Sequence, residues 1–285
     1  MKIFLTGADG FVGKHVATAC VKMGIEVVGV DISSGFDVRS KEARKEVPKN
    51  VDAIVHLAGL SNDPMCRDNG YECFETNVLG TLNIMEAAKE RGAKQLIFAS
   101  TEWVYDNCTA EEQKTEESLI NIQNIDSEYA LSKLVSESNL RQQYLHGFCP
   151  TTILRFGIIC GTTGAKKSAV EALFMSVKEN DEVTVGSLQS GRCFVHVSDI
   201  AEGIVKSIGT PGFEIVNLAG DTLITLEDII NTSKEVLGKN PTVKESDPSA
   251  VSVRNISNTK AKELLNWSPS ITVDTWLKEL AEHEN

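Results

Sequence analysis

A tyrosine and a lysine one helical turn apart are the residues whose types and spacing most directly suggest chemistry in this chain. In Tyr129-Ala-Leu-Ser-Lys133 the i, i+4 spacing sets a phenol and an ammonium on one face of a helix. A phenol, with a pKa of about 10, is a poor base at neutral pH. A nearby ammonium favours the phenolate and lowers that value. A tyrosine so placed can take a proton from a substrate hydroxyl, or return it, while a hydride leaves or reaches the carbon. Lys133 can also bond a ribose hydroxyl. The same spacing occurs in ordinary surface helices, so the reading depends on partners. Thr101 is one. It follows the apolar run Lys94–Ser100, at the strand end where open α/β sheets bind ligands. Its hydroxyl can orient a substrate oxygen beside Tyr129, or simply cap the strand.

A hydride needs an acceptor, and the N-terminal segment offers a place for one. Gly7-Ala-Asp-Gly10-Phe11-Val12-Gly13 follows the short apolar run Lys2–Leu5 and opens a helical pattern that Gly24 closes. A glycine turn lets backbone approach a pyrophosphate, and the following helix presents free N–H groups and positive partial charge. The spacing is GxxGxxG rather than GxGxxG, and simple turn glycines would also produce it. Asp31 strengthens the first reading, because it ends the next apolar run, Ile25–Asp31. An acid there accepts hydrogen bonds from the adenosine ribose and repels a 2′-phosphate. No Arg or Lys falls within Ile32–Gly35, so the predicted cofactor is NAD rather than NADP. Asp31 can equally serve as a turn cap. Asp37 and Val38 lie just beyond, where a polar side chain can meet the adenine edge.

The elements that must position these residues alternate. Apolar runs at Lys2–Leu5, Ile25–Asp31, Asp52–Leu57, Lys94–Ser100 and Thr151–Arg155 are separated by helical patterns, including 70–91 and 127–146. That order predicts βαβ units and a parallel, doubly wound sheet of Rossmann type. The second half is less regular: Cys193–Val197 reads as a strand, Asp199–Ile208 as a helix, and Phe213–Leu218 as a strand returning to the main sheet. The polar, acidic stretch 106–126 reads as a surface loop.

The 285 residues, 41% hydrophobic, suffice for one large or two small domains. A net charge of −12 repels phosphate backbones, which disfavours nucleic acid as a partner. An anionic ligand would need a local basic pocket, for which Arg155, Arg192, Arg254, Lys166 and Lys167 are candidates. The start does not read as a signal peptide, and no apolar stretch approaches the roughly 18 residues that span a bilayer. The seven cysteines form no CxxC pair or Cys/His cluster, so no metal site is expected. They read as reduced thiols in a cytoplasmic protein.

Taken in order, these motifs resemble those of the extended short-chain dehydrogenase/reductases, in particular the NAD-dependent nucleotide-sugar epimerase/dehydratase group. The matched residues are Gly7/Gly10/Gly13, Asp31, Asp37-Val38-Arg39, His56-Leu57-Ala58-Gly59, Asn77-Val-Leu-Gly-Thr81, Ser100-Thr101 with Val104-Tyr105, Tyr129/Lys133, Gly191–Asp199 and Leu264–Trp267. The resemblance implies a Rossmann domain at 1–158, completed by 193–220, and a smaller C-terminal α/β substrate domain from 159–192 and 221–285. It implies Thr101, Tyr129 and Lys133 as the catalytic trio. The cofactor would be held by Gly7, Gly10, Phe11, Val12, Asp31, Asp37, Val38, Leu57, Ala58, Gly59, Asn77, Ser100, Tyr129 and Lys133. A nucleoside-diphosphate sugar is the implied substrate, and a homodimer built on the helices near 70–91 and 127–146 the implied assembly.

Departures from the group's pattern bear on the outcome of the reaction. The segment Gly161-Thr-Thr-Gly164-Ala-Lys-Lys lacks a proline common there, and Cys193 stands where an Asp is common. Dehydratases of this kind carry Thr-Asp-Glu where this chain reads Thr101-Glu102-Trp103. One acid is kept in longer form, and an indole, which cannot act as a base, replaces the other. Glu102 is read as a catalytic acid or sugar-hydroxyl ligand, or else an inert rim carboxylate. Ser61, Asn62 and Trp103 are candidate pocket residues, and Arg192 and Arg254 a candidate diphosphate clamp. His196, Trp267 and Trp276 read as core. The leading expectation is an epimerase that oxidises a sugar hydroxyl transiently. Alternatives are a 4,6-dehydratase, a decarboxylase or a net dehydrogenase/reductase of the same fold, and a non-catalytic NAD-sensing protein.

Overall fold

The computed structural model describes residues 1–162 and 168–283. Its central sheet has six strands in the order β10-β5-β4-β3-β1-β2: β1 (Lys2–Thr6), β2 (Glu26–Val30), β3 (Ala53–His56), β4 (Leu96–Thr101), β5 (Thr151–Phe156) and β10 (Phe213–Leu218). β1 pairs in parallel with β2 on one side and β3 on the other, and β3, β4 and β5 continue in parallel. Every residue of β3, β4 and β5 is buried. Helices cover both faces of such a sheet, which is why these strands read as unbroken apolar runs rather than alternating ones. The chain leaves β1 in one direction to β2 and returns on its other side to β3. The carboxyl ends of β1 and β3 therefore flank the switch point at which open α/β sheets hold ligands.

The helices of this half are α1 (Phe11–Lys22), α2 (Asp63–Cys66), α3 (Gly70–Phe74), α4 (Gly80–Arg91) and α5 (Glu128–Leu145). α3 and α4 form one run joined by a π-helical turn, Glu75–Leu79. Phe4, Ile54, Ile84, Met85, Leu96, Phe98, Leu140 and Ile153 make the core between sheet and helices. Gln95 fastens the later segment to β4: its Nε2 donates to the Ser207 carbonyl at 2.9 Å and its Oε1 accepts from Gly209 N at 2.7 Å.

The described residues divide into two compact units, 1–106 with 119–156 and 201–216, and 107–118 with 157–200 and 217–285. The second holds β6 (Ile159–Cys160), α6 (Ala169–Glu179), β7 (Glu182–Val185), β8 (Gly191–Arg192) and β9 (Val195–His196). After α7 (Val197–Lys206) and β10 it continues with β11 (Ile224–Thr225), α8 (Leu226–Leu237), β12 (Thr242–Glu245), β13 (Val253–Arg254), α9 (Thr259–Leu265) and α10 (Val273–His283). Its core includes Phe174, Phe194, Ile229, Trp276 and Leu277. Trp267 is fully buried, its indole N–H donating to the Asp199 carbonyl at 2.8 Å. The His196 ring lies 4.9 Å from that of Trp276, tilted by 50°.

Two expectations need correction. The stretch 107–118 is not a free surface loop: Cys108 N bonds Val253 O at 2.9 Å and Lys114 N bonds Asn255 O at 2.8 Å, an edge pairing that its polar composition hides. The cysteines are not all thiols either. Cys66 and Cys73 form a disulfide, which folding brings together by turning the chain between α2 and α3. Nothing in a spacing of seven signals that turn. Cys20, Cys149 and Cys160 are thiols whose pKa values burial pushes up to about 11, 11 and 12.

Candidate active site

The glycine turn sits at the sheet's switch point. Gly7 has φ +73°, and a Cβ there would lie 2.9 Å from Ala58 N, so the turn after β1 presses on the segment after β3. A Cβ at Gly13 would sit 2.1 Å from the Gly7 carbonyl oxygen, so α1 approaches the turn only because the side chain is missing. α1 begins at Phe11-Val12 with Gly10 as N-cap and no side chain bonded across its end. That leaves its first N–H groups directed at a backbone cradle, the arrangement a pyrophosphate fits. Asp31 follows β2 directly. One carboxylate oxygen accepts from Ser33 N at 3.1 Å and the other from Asp9 N at 3.2 Å. The acid thus does cap a turn, and the same bonds hold it against the glycine loop. These features fit NAD, whose adenosine ribose would take Asp31 as its acceptor.

The segment after β2 is placed differently from the simplest expectation. Asp37 turns toward Arg39, whose Nη2 lies 2.7 Å away and holds the Asp37 carboxyl below the usual range. The Val38 side chain is core. Asn83 of α4 fixes this stretch by donating to the Val38 and Arg39 carbonyls, each at 2.9 Å.

The segment Leu57-Ala58-Gly59 leaves β3 under tight control. Ala58 N donates to Thr6 Oγ1 at 3.2 Å. The Thr6 hydroxyl meets His56 Nδ1 at 2.8 Å, and His56 Nε2 meets Thr81 Oγ1 at 3.2 Å. Because the Thr81 hydroxyl donates to the Asn77 carbonyl, His56 carries its proton on Nε2. Burial pushes the His56 pKa down to about 3, with Lys133 adding to the effect, so this imidazole stays neutral. Asn77, in the π-helical turn, clamps the next residue: its Oδ1 accepts from Leu60 N at 2.8 Å and its Nδ2 donates to Leu60 O at 3.1 Å. The same Nδ2 donates to Ser132 Oγ at 2.9 Å, tying the loop to α5. π-helical turns recur at functional sites, and here one aims a side chain that a regular helix would rotate away.

Tyr129 and Lys133 lie on the buried face of α5, with Ser127 capping the helix through Ala130 N. Lys133 Nζ donates to the Ala99 carbonyl at 2.9 Å and sits 4.9 Å over the Phe98 ring. A Cβ at Gly59 would lie 3.6 Å from that ammonium, which places it beside the loop after β3. Thr101 ends β4. Its oxygen accepts from Trp103 N at 3.2 Å, and its side chain also bonds the Tyr129 hydroxyl. Thr101, Tyr129 and Lys133 therefore converge at the carboxyl edge of β4. The expected phenolate is not favoured by the chain alone: burial pushes Tyr129 up to about 12, outweighing the Thr101 bond. Burial also pushes Lys133 down to about 8, partly offset by Glu137.

Arg155 does not serve an anionic ligand. It is buried on β5 with its guanidinium forked onto Glu137, at 3.0 and 2.6 Å, and its Nη1 donates to the Tyr105 hydroxyl at 2.8 Å. Glu137 also accepts from Ser100 Oγ at 2.5 Å. Glu137 was not foreseen, although it continues the 129, 133 face of α5 by one more turn. It fixes Ser100, whose neighbours Ala99 and Thr101 hold Lys133 and Tyr129.

Glu102 opens a short 3₁₀ turn, Glu102–Val104, and is fully buried, so it is not a rim carboxylate. Trp103 beside it is half-buried. Ser61 is exposed, and Asn62 caps α2 by accepting from Met65 N at 3.0 Å. In the second unit, Arg192 and Arg254 are register partners on adjacent strands. Arg192 Nη1 donates to Ser252 O at 2.6 Å, and Arg254 is 8% exposed. Lys166 and Lys167 lie outside the described residues.

Comparison with known proteins agrees with this fold. Residues 3–219 match the family model described as the NAD dependent epimerase/dehydratase family. A UDP-glucuronate 4-epimerase of Thermodesulfobacterium geofontis is 27% identical, covering 96% of this chain and 93% of that protein. A UDP-N-acetyl-alpha-D-glucosaminuronate decarboxylase of Bacillus cytotoxicus is 26% identical over 98% of this chain and 96% of its own length. Among solved structures, the UDP-glucose 4-epimerase of Thermus thermophilus in complex with NAD superposes with a TM-score of 0.85 at 23% identity, covering 99% of this chain and 98% of that one. With its glycine cradle, its switch-point sheet and its match over most of the chain, this protein belongs to the NAD dependent epimerase/dehydratase family of enzymes.

Proposed function

We propose that the protein is a nucleotide-sugar epimerase that oxidises a sugar hydroxyl transiently and returns the hydride to the other face of the same carbon. The observation that carries the reading is the convergence of Thr101, Tyr129 and Lys133 at the edge of β4, beside the cradle that fits NAD. Bound NAD supplies the hydride acceptor. Thr101 orients the substrate hydroxyl, Tyr129 exchanges its proton, and Lys133 brings positive charge and donors to the loop after β3. Its ammonium is the charge that offsets burial of the tyrosine when the proton leaves. A UDP-sugar is the first substrate class to test, because the similar proteins named above act on UDP-sugars. Arg192 and Arg254, adjacent in register, are suited to a diphosphate.

The decarboxylase relative favours a second reading, because its identity to this chain is nearly that of the epimerase. A homodimer through the run 70–91 is supported by Tyr71 and Leu79, which are 82% and 52% exposed there. A cytoplasmic location fits the thiols of Cys20, Cys149 and Cys160, of which Cys20 and Cys160 are buried. Among the described residues no helix is long and apolar enough to cross a membrane.

The test is a thermal-shift screen of UDP-, dTDP- and GDP-sugars with NAD, followed by product analysis of each stabilising sugar. A ligand selective for the folded state raises its stability by mass action. An epimer formed without net NADH is the expected product. Release of carbon dioxide would replace this reading with the decarboxylase.

A further inference from the structure

The Cys66–Cys73 pair lies outside the proton chemistry above, yet it packs directly against it. Both residues are 0% exposed and cluster with Tyr129 and Leu60. Their Cα atoms are 5.1 Å apart, a separation a disulfide spans without moving backbone. The surroundings provide for both redox states of Cys73. Asn77 Nδ2 is 3.7 Å from its sulfur while its two hydrogens serve Leu60 O and Ser132 Oγ, a contact that tolerates a thiol or a disulfide alike. The Glu128 carbonyl is 3.8 Å from the same sulfur and can accept only from a thiol. Glu128 immediately precedes Tyr129, and Asn77 is the clamp on Leu60.

We infer that Cys66 and Cys73 are a reversible redox site whose disulfide form sets Tyr129 and the Asn77–Leu60 clamp. Breaking the bond forces two bonded sulfurs out to van der Waals separation inside a filled cluster, so α2, α3 or the first turn of α5 must give way. The exchange partner is a small disulfide, RSSR. One cysteine thiolate attacks RSSR, forming a mixed disulfide and expelling RS⁻. The second thiolate attacks the protein sulfur of that mixed disulfide, closing Cys66–Cys73 and expelling the second RS⁻. The protein loses two electrons and two protons, and RSSR becomes two RSH. Access comes through local opening of α2 and α3, which are single turns of four and five residues flanking the exposed stretch Arg67-Asp68-Asn69.

The test equilibrates the intact protein in buffers of reduced and oxidised glutathione and traps thiols by alkylation in denaturant. Mass spectrometry then reads the 66–73 pair at each ratio. Both forms are expected, interconverting across the series; a pair that stays in one form at every ratio overturns the inference. The second readout is hydrogen exchange, which needs no substrate. Reduction is expected to speed exchange at Leu60, Asn77 and the first turn of α5. A change confined to 66–73 would show that the pair is not coupled to the site. The effect on turnover rests on the epimerase reading: reduction is expected to slow it about tenfold, the scale of a sub-ångström misplacement of a catalytic group. The Cys66→Ala/Cys73→Ala protein should lose all dependence on the glutathione ratio. Trapping and exchange decide the inference even if no sugar is turned over.

Discussion

Among single residues, Glu137 has the most specific consequence. It is buried on the face of α5 that carries Tyr129 and Lys133, and its negative charge holds the Lys133 pKa above what burial alone would give. The ionisable groups that act on that ammonium include Glu137 on α5 and His56 on β3, and Arg155 on β5 forks onto Glu137. With Lys133 at about 8, the alkaline limb of the pH–rate profile should fall near pH 8. Glu137→Gln removes the attraction and leaves Arg155 uncompensated, so the limb should move to lower pH; Glu137→Asp should restore part of it. An unmoved limb in Glu137→Gln would mean that Lys133 is tuned by something else. At this scale the sequence was legible where chemistry follows residue type: the Tyr–Lys spacing and the strand-end threonine were readable as they stand. Arg155 was not, because its guanidinium is committed to a partner 18 positions earlier in the chain, a pairing made by packing α5 on β5. The Cys66–Cys73 bond was hidden for the same reason.

Elements place those residues. The order of apolar runs and helical patterns foretold β1 to β5, and the return of Phe213–Leu218 to the main sheet. Buried parallel strands carry an unmistakable pattern because both faces are covered. The second unit was harder to read, since β6, β8, β9, β11 and β13 are two residues each, too short for any periodicity. The π-helical turn at 75–79 leaves no mark either, although Asn77 depends on it. The glycine turn makes the element-scale prediction. Gly13→Ala sets a methyl 2.1 Å from the Gly7 carbonyl oxygen and 2.8 Å from Ala8 Cα and O, all three backbone atoms, so α1 must move off the turn. NAD binding, measured by calorimetry, should weaken more than about tenfold, a loss of roughly 1.4 kcal/mol or more. Unchanged affinity would place the pyrophosphate elsewhere.

At the scale of the whole molecule, stability depends on a neutral histidine buried at the end of β3. His56 has a pKa of about 3 in the folded chain against about 6.5 when unfolded. Between those values the unfolded state binds the extra proton, so stability falls as pH is lowered through that window. At pH 5 the penalty is about 2 kcal/mol for this group alone. Denaturant melts at pH 7 and 5 should therefore show a smaller loss for His56→Gln than for the parent protein; equal losses would mean His56 is not the acid-sensitive group. The central claim concerns the route of one hydride, and it is tested most directly with UDP-glucose and UDP-glucuronic acid deuterated at the sugar ring carbons, incubated without added NAD and followed by NMR and absorbance. The account predicts an epimer that keeps its deuterium at the inverted carbon, no accumulation of reduced cofactor, and a rate about 10²- to 10⁴-fold lower in Tyr129→Phe. Deuterium lost to solvent, reduced cofactor accumulating in step with product, or an unimpaired Tyr129→Phe protein would contradict it.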